Sequence, residues 1–271
     1  MARIALGIEY DGTEFRGWQT QQPGVRTVQE CLEGALSKVA NHPVAVVCAG
    51  RTDAGVHGTG QVVHFDSEAE REMKSWIMGG NTNLPYDITI RWATPVSDEF
   101  HARFSAVSRR YRYVIYNHAR PPALYRNQVT WNHRPLNVDA MRSAAAMLEG
   151  SHDFTSYRSV HCQAKSADKT LHSLKVFEHG KVIVIEAHAN AFLMHMVRNM
   201  AGVLMTIGAG KRPPEWAAQV LEAKDRRAGA ATAHPYGLYL VEIEYPEAFC
   251  LPREPLGPLW LPDRLDESNA P

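Results

Sequence analysis

One carboxylate and one guanidinium stand two residues apart in Ala49-Gly50-Arg51-Thr52-Asp53-Ala54-Gly55-Val56-His57. A carboxylate such as Asp53 can act as a nucleophile or a base. Gly50 and Gly55 permit backbone angles that other residues avoid. Read alone, the stretch favours a loop in which Asp53 caps its own turn, with Arg51 as a surface partner of little energetic weight. The rest of the chain shifts that balance. Residues 100–138 contain no Asp, Glu or Lys, yet they hold Arg103, Arg109, Arg110, Arg112, Arg120, Arg126 and Arg134. An arginine-only span suits bidentate phosphate contacts and stacking on bases, and tyrosines interleave with it. The competing reading is a solvated face whose acids come from elsewhere in the fold. The 13 histidines invite a metal site. His57 and His64 are seven apart, as are His188 and His195; neither spacing is helical, and no His-Glu-x-x-His element exists. They read as surface or hydrogen-bonding histidines.

These groups need elements to hold them. Ile4, Leu6, Ile8 and Tyr10 alternate as a first strand. A long polar loop, residues 11–26, carries Arg16, Trp18 and Arg26; loops of this length are usually functional or disordered. Thr27 with Glu30 is a capping box, and Val28, Leu32, Ala35, Leu36 and Val39 then share one helical face. The valine-rich runs 44–48 and 61–65 read as strands on either side of the Asp53 loop. A helix over 69–78 and a strand through Ile88, Ile90 and Trp92 follow. The second half repeats the order: a strand over 109–116, a helix over 138–148 capped by Asn137, strands over 171–177 and 182–187, a buried helix over 191–207, an extra helix over 214–224, and a last strand with Leu238, Leu240 and Ile243. Each half reads strand, helix, strand, strand, helix, strand. The pattern predicts an α+β fold of two ferredoxin-like, RRM-like halves, with antiparallel sheets side by side and an active-site cleft between them. The halves are 1–105, which carries the Asp53 loop, and 106–247. Residues 248–271 form a proline-rich tail, an appended arm or a partly disordered one.

Composition sets the remaining bounds. The chain has 271 residues, 45% of them apolar, enough for a sizeable core. No run of eighteen apolar residues exists, so no membrane span is expected, and the N-terminus enters a strand without a signal-peptide layout. Cys31, Cys48, Cys162 and Cys250 are widely spaced, which suggests neither a zinc ribbon nor a disulfide framework and points to a reduced, cytoplasmic protein.

Taken together, several stretches resemble the TruA family of tRNA pseudouridine synthases. They are Arg51-Thr52-Asp53-Ala54-Gly55-Val56-His57, Tyr10-Asp11-Gly12-Thr13 with Gly17-Trp18-Gln19, Phe100-His101-Ala102-Arg103-Phe104-Ser105, Arg109-Arg110-Tyr111-Arg112-Tyr113, Phe192 with Met196-Val197-Arg198-Asn199, and Gly237-Leu238. They run in family order to about Tyr245. Gly58 departs from the pattern, where the family usually has alanine. The resemblance implies isomerisation of uridine to pseudouridine at positions 38, 39 and 40 of the tRNA anticodon stem-loop. It also implies a homodimer whose subunits share each tRNA, and no metal or organic cofactor. It implies that Asp53 is the catalytic nucleophile and that Arg198 is the arginine paired with it. Tyr111 would stack on the target uracil, Leu238 would pack beneath it, and Arg51 would fill the space left by the flipped base. Arg16, Arg26, Arg103, Arg109, Arg110 and Arg112 are the candidate RNA contacts. Two rivals stand against this reading. One is a non-catalytic RNA-binding protein using Tyr111 and Tyr113 as stacking platforms, against which Asp53 and Arg198 speak. The other is a histidine-based metal hydrolase, which elemental analysis for zinc or manganese would reveal.

Overall fold

The computed structural model describes residues 1–265. It has a two-half α+β fold, in which the chain groups into two compact units. The first is Met1–Val107 together with Tyr239–Asp263, and the second is built on Ser108–Leu238.

The first unit runs β1 (Ala2–Tyr10), α1 (Val28–Ala40), β2 (Val47–Cys48), β3 (His57–Ser67), α2 (Met73–Asn83) and β4 (Ile88–Val96). β1 is central, antiparallel to β3 through Ile4↔Phe65 and Leu6↔Val63 and to β4 through Leu6↔Ala93. β2 adds to β3 by Val47↔His64 and Cys48↔Val63. Alternation turns Ile4, Leu6, Ile8, Val63 and Phe65 to one face, where they pack with Leu32 and Leu36 of α1 and Trp76 of α2. Each such side chain taken fully out of water contributes about 1.5–3 kcal/mol. Thr27 accepts the Glu30 N–H at 3.4 Å and so caps α1, a contact worth about 1 kcal/mol.

The expected strand over 44–48 shrinks to two residues. Val44 and Val46 bury their side chains, but their N–H groups donate to Ser37 Oγ (2.9 Å) and Glu33 Oε1 (3.0 Å) of α1 rather than to a neighbouring strand. α2 starts and ends later than the 69–78 expected. Ser67 Oγ takes the Ala69 N–H at 3.1 Å, and the helix carries on through Gly79 and Gly80. A Cβ on Gly80 would stand 2.3 Å from Ile90 Cδ1, so the close contact of α2 with β4 overrides the poor helix propensity of glycine.

The second unit runs β5 (Ser108–Asn117), β6 (Thr130–Asn132), α3 (Val138–Ala146), β7 (Gly150–Asp153), β8 (Asp168–His179), β9 (Val182–Ala189), α4 (Met196–Gly208) and α5 (Trp216–Ala223), and leads into β10 (Leu238–Glu244). β5 is antiparallel to β9 by Tyr111↔Ala187 and Arg112↔Glu186; β9 pairs with β8 and β8 with β7. β6 lies parallel to β5. Asn137 caps α3 through the Ala140 N–H at 2.9 Å. α4 begins at Met196, five residues later than expected, because His195 adopts a left-handed backbone at φ 64°. Without β6, β7 and α5, this half keeps the strand, helix, strand, strand, helix, strand order.

The chain re-enters the first unit at Tyr239, where β10 lies parallel to β3 through Tyr239↔His57 and Leu240↔Gly58. The segment after Tyr245 then lies along that unit. Phe249 meets Phe100 edge-on at 5.1 Å, and Glu254 takes Arg91 at 3.0 Å. The rest of the expected tail, residues 266–271, lies outside the described residues. Among the described residues no helix is long and apolar enough to cross a membrane.

Candidate active site

The Asp53 loop leaves the sheet where β2 ends. The Ala49 N–H donates to Val62 O (2.9 Å), and Gln61 Nε2 donates to Gly50 O (2.6 Å). Thr52 is buried. Its carbonyl accepts the Trp18 N–H (3.0 Å), and its hydroxyl pairs with Tyr10 OH (2.8 Å). The Asp53 carbonyl accepts the Val56 N–H (3.1 Å), closing a turn in which Gly55 sits at φ +78°. That value lies in the left-handed region glycine enters freely. The polar loop of residues 11–26 packs against this turn, where the Gly55 N–H donates to Phe15 O (3.4 Å). A Cβ on Gly12 would stand 2.0 Å from Val56 O, so only glycine permits the approach. The Asp53 side chain is half-buried and Arg51 is exposed.

His57 closes the loop and opens β3. It is buried, and its ring stacks on Tyr239 (4.6 Å between centroids, 23° between planes). Nδ1 lies 3.1 Å from both the Gly12 N and Asp11 Oδ1. A neutral ring with its proton on Nε2 accepts from Gly12, whereas a ring protonated at Nδ1 donates to Asp11. Half-burial alone would raise the Asp11 carboxyl. Hydrogen bonds from His57 and Thr13 outweigh that and hold it well below the usual carboxylate range. Behind the loop, burial pushes the Cys48 thiol up to about 11, against the pull of Arg51 and then Arg103.

The remaining expected site residues belong to the second unit. Tyr111 on β5 is buried, with Phe192 edge-on to its ring at 5.0 Å. Arg198 is in the first turn of α4, and its Nε donates to Ala233 O (2.8 Å). The Ala233 N–H returns a bond to Arg198 O (3.2 Å). Asn199 is buried beside it. Its Oδ1 accepts from Arg226 (3.0 Å) and Thr232 (2.7 Å), while its Nδ2 donates to Tyr157 O (2.8 Å). This clasp fixes residues 226–233 on α4. Leu238 is buried at the start of β10, and its N–H donates to Pro235 O (2.8 Å).

The candidate RNA-binding arginines separate by environment. Arg112 has 0% exposure, and its Nε donates to Glu186 Oε2 (2.9 Å); Arg110 takes Oε1 of the same carboxylate (3.1 Å). The acid missing from residues 100–138 is thus supplied across the strands by β9. Arg112 is therefore committed to Glu186 and has no exposed surface. Arg109 is half-buried and donates to Asn190 O (3.0 Å). Arg26 makes two bonds to Asp87, both 2.8 Å, and covers the Phe15 ring at 4.0 Å. Arg16 and Arg103 are exposed. Among the described residues, no three His, Cys, Asp or Glu side chains are grouped to hold a metal ion.

Residues 7–105 and 144–246 match a family model described as tRNA pseudouridine synthase. The tRNA pseudouridine synthase A of Alcanivorax borkumensis is 83% identical over 98% of this chain and 100% of its own length. That of Pseudomonas aeruginosa is 63% identical over 96% of this chain and 92% of its own length. The Vibrio cholerae protein of the same name is 58% identical over 97% and 100%.

Proposed function

Because this chain belongs to the TruA family of tRNA pseudouridine synthases and is an isomerase, we propose that it converts uridine to pseudouridine at positions 38, 39 and 40 in the anticodon stem-loop of tRNA, with Asp53 as the nucleophile. The observation that carries this reading is the Asp53 loop. Thr52 and the turn to Val56 fix the backbone on both sides of Asp53 through Tyr10, Trp18 and the Asp53 carbonyl. The backbone that carries the carboxylate is therefore held by hydrogen bonds from two other segments, the kind of support a catalytic group needs.

The reaction breaks the bond from uracil nitrogen 1 to the ribose and joins carbon 5 to the same ribose carbon. Carbon 5 gives up its proton and nitrogen 1 gains one, so nothing is oxidised and no group is lost. Covalent participation of a carboxylate divides this exchange into easier steps. In this reading Arg51 fills the space left by the flipped uridine, Tyr111 and Leu238 hold the uracil, and Arg198 is the cation paired with Asp53. The family resemblance supports these four roles. Arg16 and Arg103, exposed and basic, are the leading phosphate contacts, with Arg109, Arg110 and Arg26 more committed to neighbours within the protein. The reading also includes a cytoplasmic homodimer and no metal or organic cofactor.

The test is tritium release from carbon 5 of uridine in labelled tRNA, run beside filter binding of the same tRNA. Asp53→Asn keeps the shape of the side chain and removes its charge. Pseudouridine formation falls by orders of magnitude while binding survives, since most affinity comes from phosphate contacts. A parent protein that releases no tritium from any tRNA refutes the activity. Parental turnover by Asp53→Asn refutes the assignment of the nucleophile.

A further inference from the structure

We propose that Phe104 is a stacking seat for a nucleobase flanking the target uridine, with Arg103 beside it on that nucleotide's phosphate. The proposal rests on the reading above, since it supplies that enzyme with a second hold on its RNA.

Phe104 is 75% exposed, so the ring gains almost nothing from burial. Even so, it is not loose. One side stacks on His101 (4.3 Å between centroids, 28° between planes), and the Arg103 guanidinium lies over the ring, 5.5 Å from its centroid, so a base takes its place on the ring as the guanidinium moves to the phosphate. His101 is itself fixed, because its Nδ1 accepts the backbone N–H groups of both Arg103 and Phe104 at 3.2 Å. That leaves the imidazole proton on Nε2 and locks the plane of the ring.

The loop that carries this stack is anchored along its length. Arg3 donates to the carbonyls of Asp98 (2.5 Å) and Phe100 (3.0 Å). The Ala102 N–H donates to His64 Nδ1 (3.1 Å), and Tyr245 OH donates to Ala102 O (2.6 Å). The His101 N–H takes Ser105 Oγ (3.0 Å), and Phe100 is buried against Tyr245 and Phe249. A rigid, solvent-facing aromatic with a guanidinium beside it has the chemistry of a single-strand RNA platform: the ring accepts any base, and the cation accepts its phosphate.

Position makes the occupant a flanking nucleotide. The His101 ring lies 4.9 Å from the His64 ring, and His64 is opposite Val47 in β2. The chain passes from β2 directly into Arg51 and Asp53. Arg51 and Arg103 both act on the same Cys48 thiol, so the platform and the catalytic loop share one basic neighbourhood within the first unit.

The test uses the full chain and an unmodified tRNA transcript. Phe104→Ala weakens filter binding by about 5- to 150-fold, the range for loss of one base–aromatic stack. Phe104→Trp restores it, which a merely structural role would not predict for so exposed a position. Phe104→Ala leaves the dependence of affinity on salt unchanged, while Arg103→Ala lowers the slope of log affinity against log salt by about 0.7–0.9. Parental affinity in a folded Phe104→Ala protein overturns the proposal. So does a fall in its sedimenting mass relative to the parent, which would assign the ring to a contact between copies. Binding decides the seat whether or not product forms; failure of the parent to make pseudouridine refutes the catalytic reading instead.

Discussion

His64 should make the stability of this protein fall with acid in a defined window. The imidazole is buried on β3, and Nδ1 accepts the Ala102 N–H. Burial, then the electrostatic influence of Arg3 and of the neighbouring His101 ring, lower its pKa from 6.5 to about 4, with Asp66 opposing them. In the unfolded chain the ring keeps its ordinary affinity for a proton. Between pH 6.5 and about 4 the unfolded state therefore binds more protons than the folded one. Stability is fully present above this window, declines through it, and the contribution is gone below it. At about 1.4 kcal/mol for each tenfold step in proton affinity, the loss is about 3 kcal/mol, a large share of the 5–15 kcal/mol typical of a folded domain. His64→Asn isolates the effect, because Asn Oδ1 can replace Nδ1 as the acceptor and does not titrate. Its smaller volume costs stability equally at every pH. Urea unfolding of both proteins, in steps from neutral pH to about pH 4, gives the difference between two curves. That difference should change by about 3 kcal/mol in favour of His64→Asn as pH falls. Parallel curves across the window would refute the reasoning.

Two further outcomes are expected, the first from the geometry and the second from the family resemblance. Arg112→Met leaves Glu186 half-compensated in a buried site and should cost about 3–5 kcal/mol in urea unfolding; combining it with Glu186→Gln should recover much of that loss, and an unchanged midpoint would show that the pair carries no weight. Light scattering at micromolar concentration should report twice the 30.3 kDa chain mass, and an active monomer would refute the homodimer.

The fold was legible where local pattern and tertiary packing agree. Ile4, Leu6 and Ile8 alternate because β1 is half-covered by helices, and Thr27 and Asn137 cap the helices they precede. It was illegible where a distant partner decides. Nothing near Val44 and Val46 shows that Ser37 and Glu33 will take their N–H groups. Nothing near Gly80 shows that Ile90 requires a bare backbone there. The Asp53 loop could be recognised as a motif, but its scaffolding by Tyr10, Trp18 and Gly12 could not. The pairing of Arg110 and Arg112 was illegible, because its acid, Glu186, enters from another strand. Histidine spacing excluded a helical metal motif without revealing that His57 and His64 lie buried, with Nδ1 within hydrogen-bond reach of the Gly12 and Ala102 N–H groups. Nothing in the sequence singles Phe104 out within its stretch. Its signal is exposure, which a sequence does not carry.

The return of the chain to the first unit at Tyr239 has a consequence for synthesis. A ribosome completes Met1–Val107 early, yet β3 lacks its β10 neighbour and His57 lacks the ring it stacks on until Tyr239 emerges. At 5–20 residues per second the delay is on the order of ten seconds. Throughout it the nascent chain carries an unpaired edge at the start of β3, an edge of the kind that invites foreign strands. The same ordering keeps the histidine end of the Asp53 loop unfinished, so a truncated chain lacks the completed loop and only a nearly full-length one acquires it.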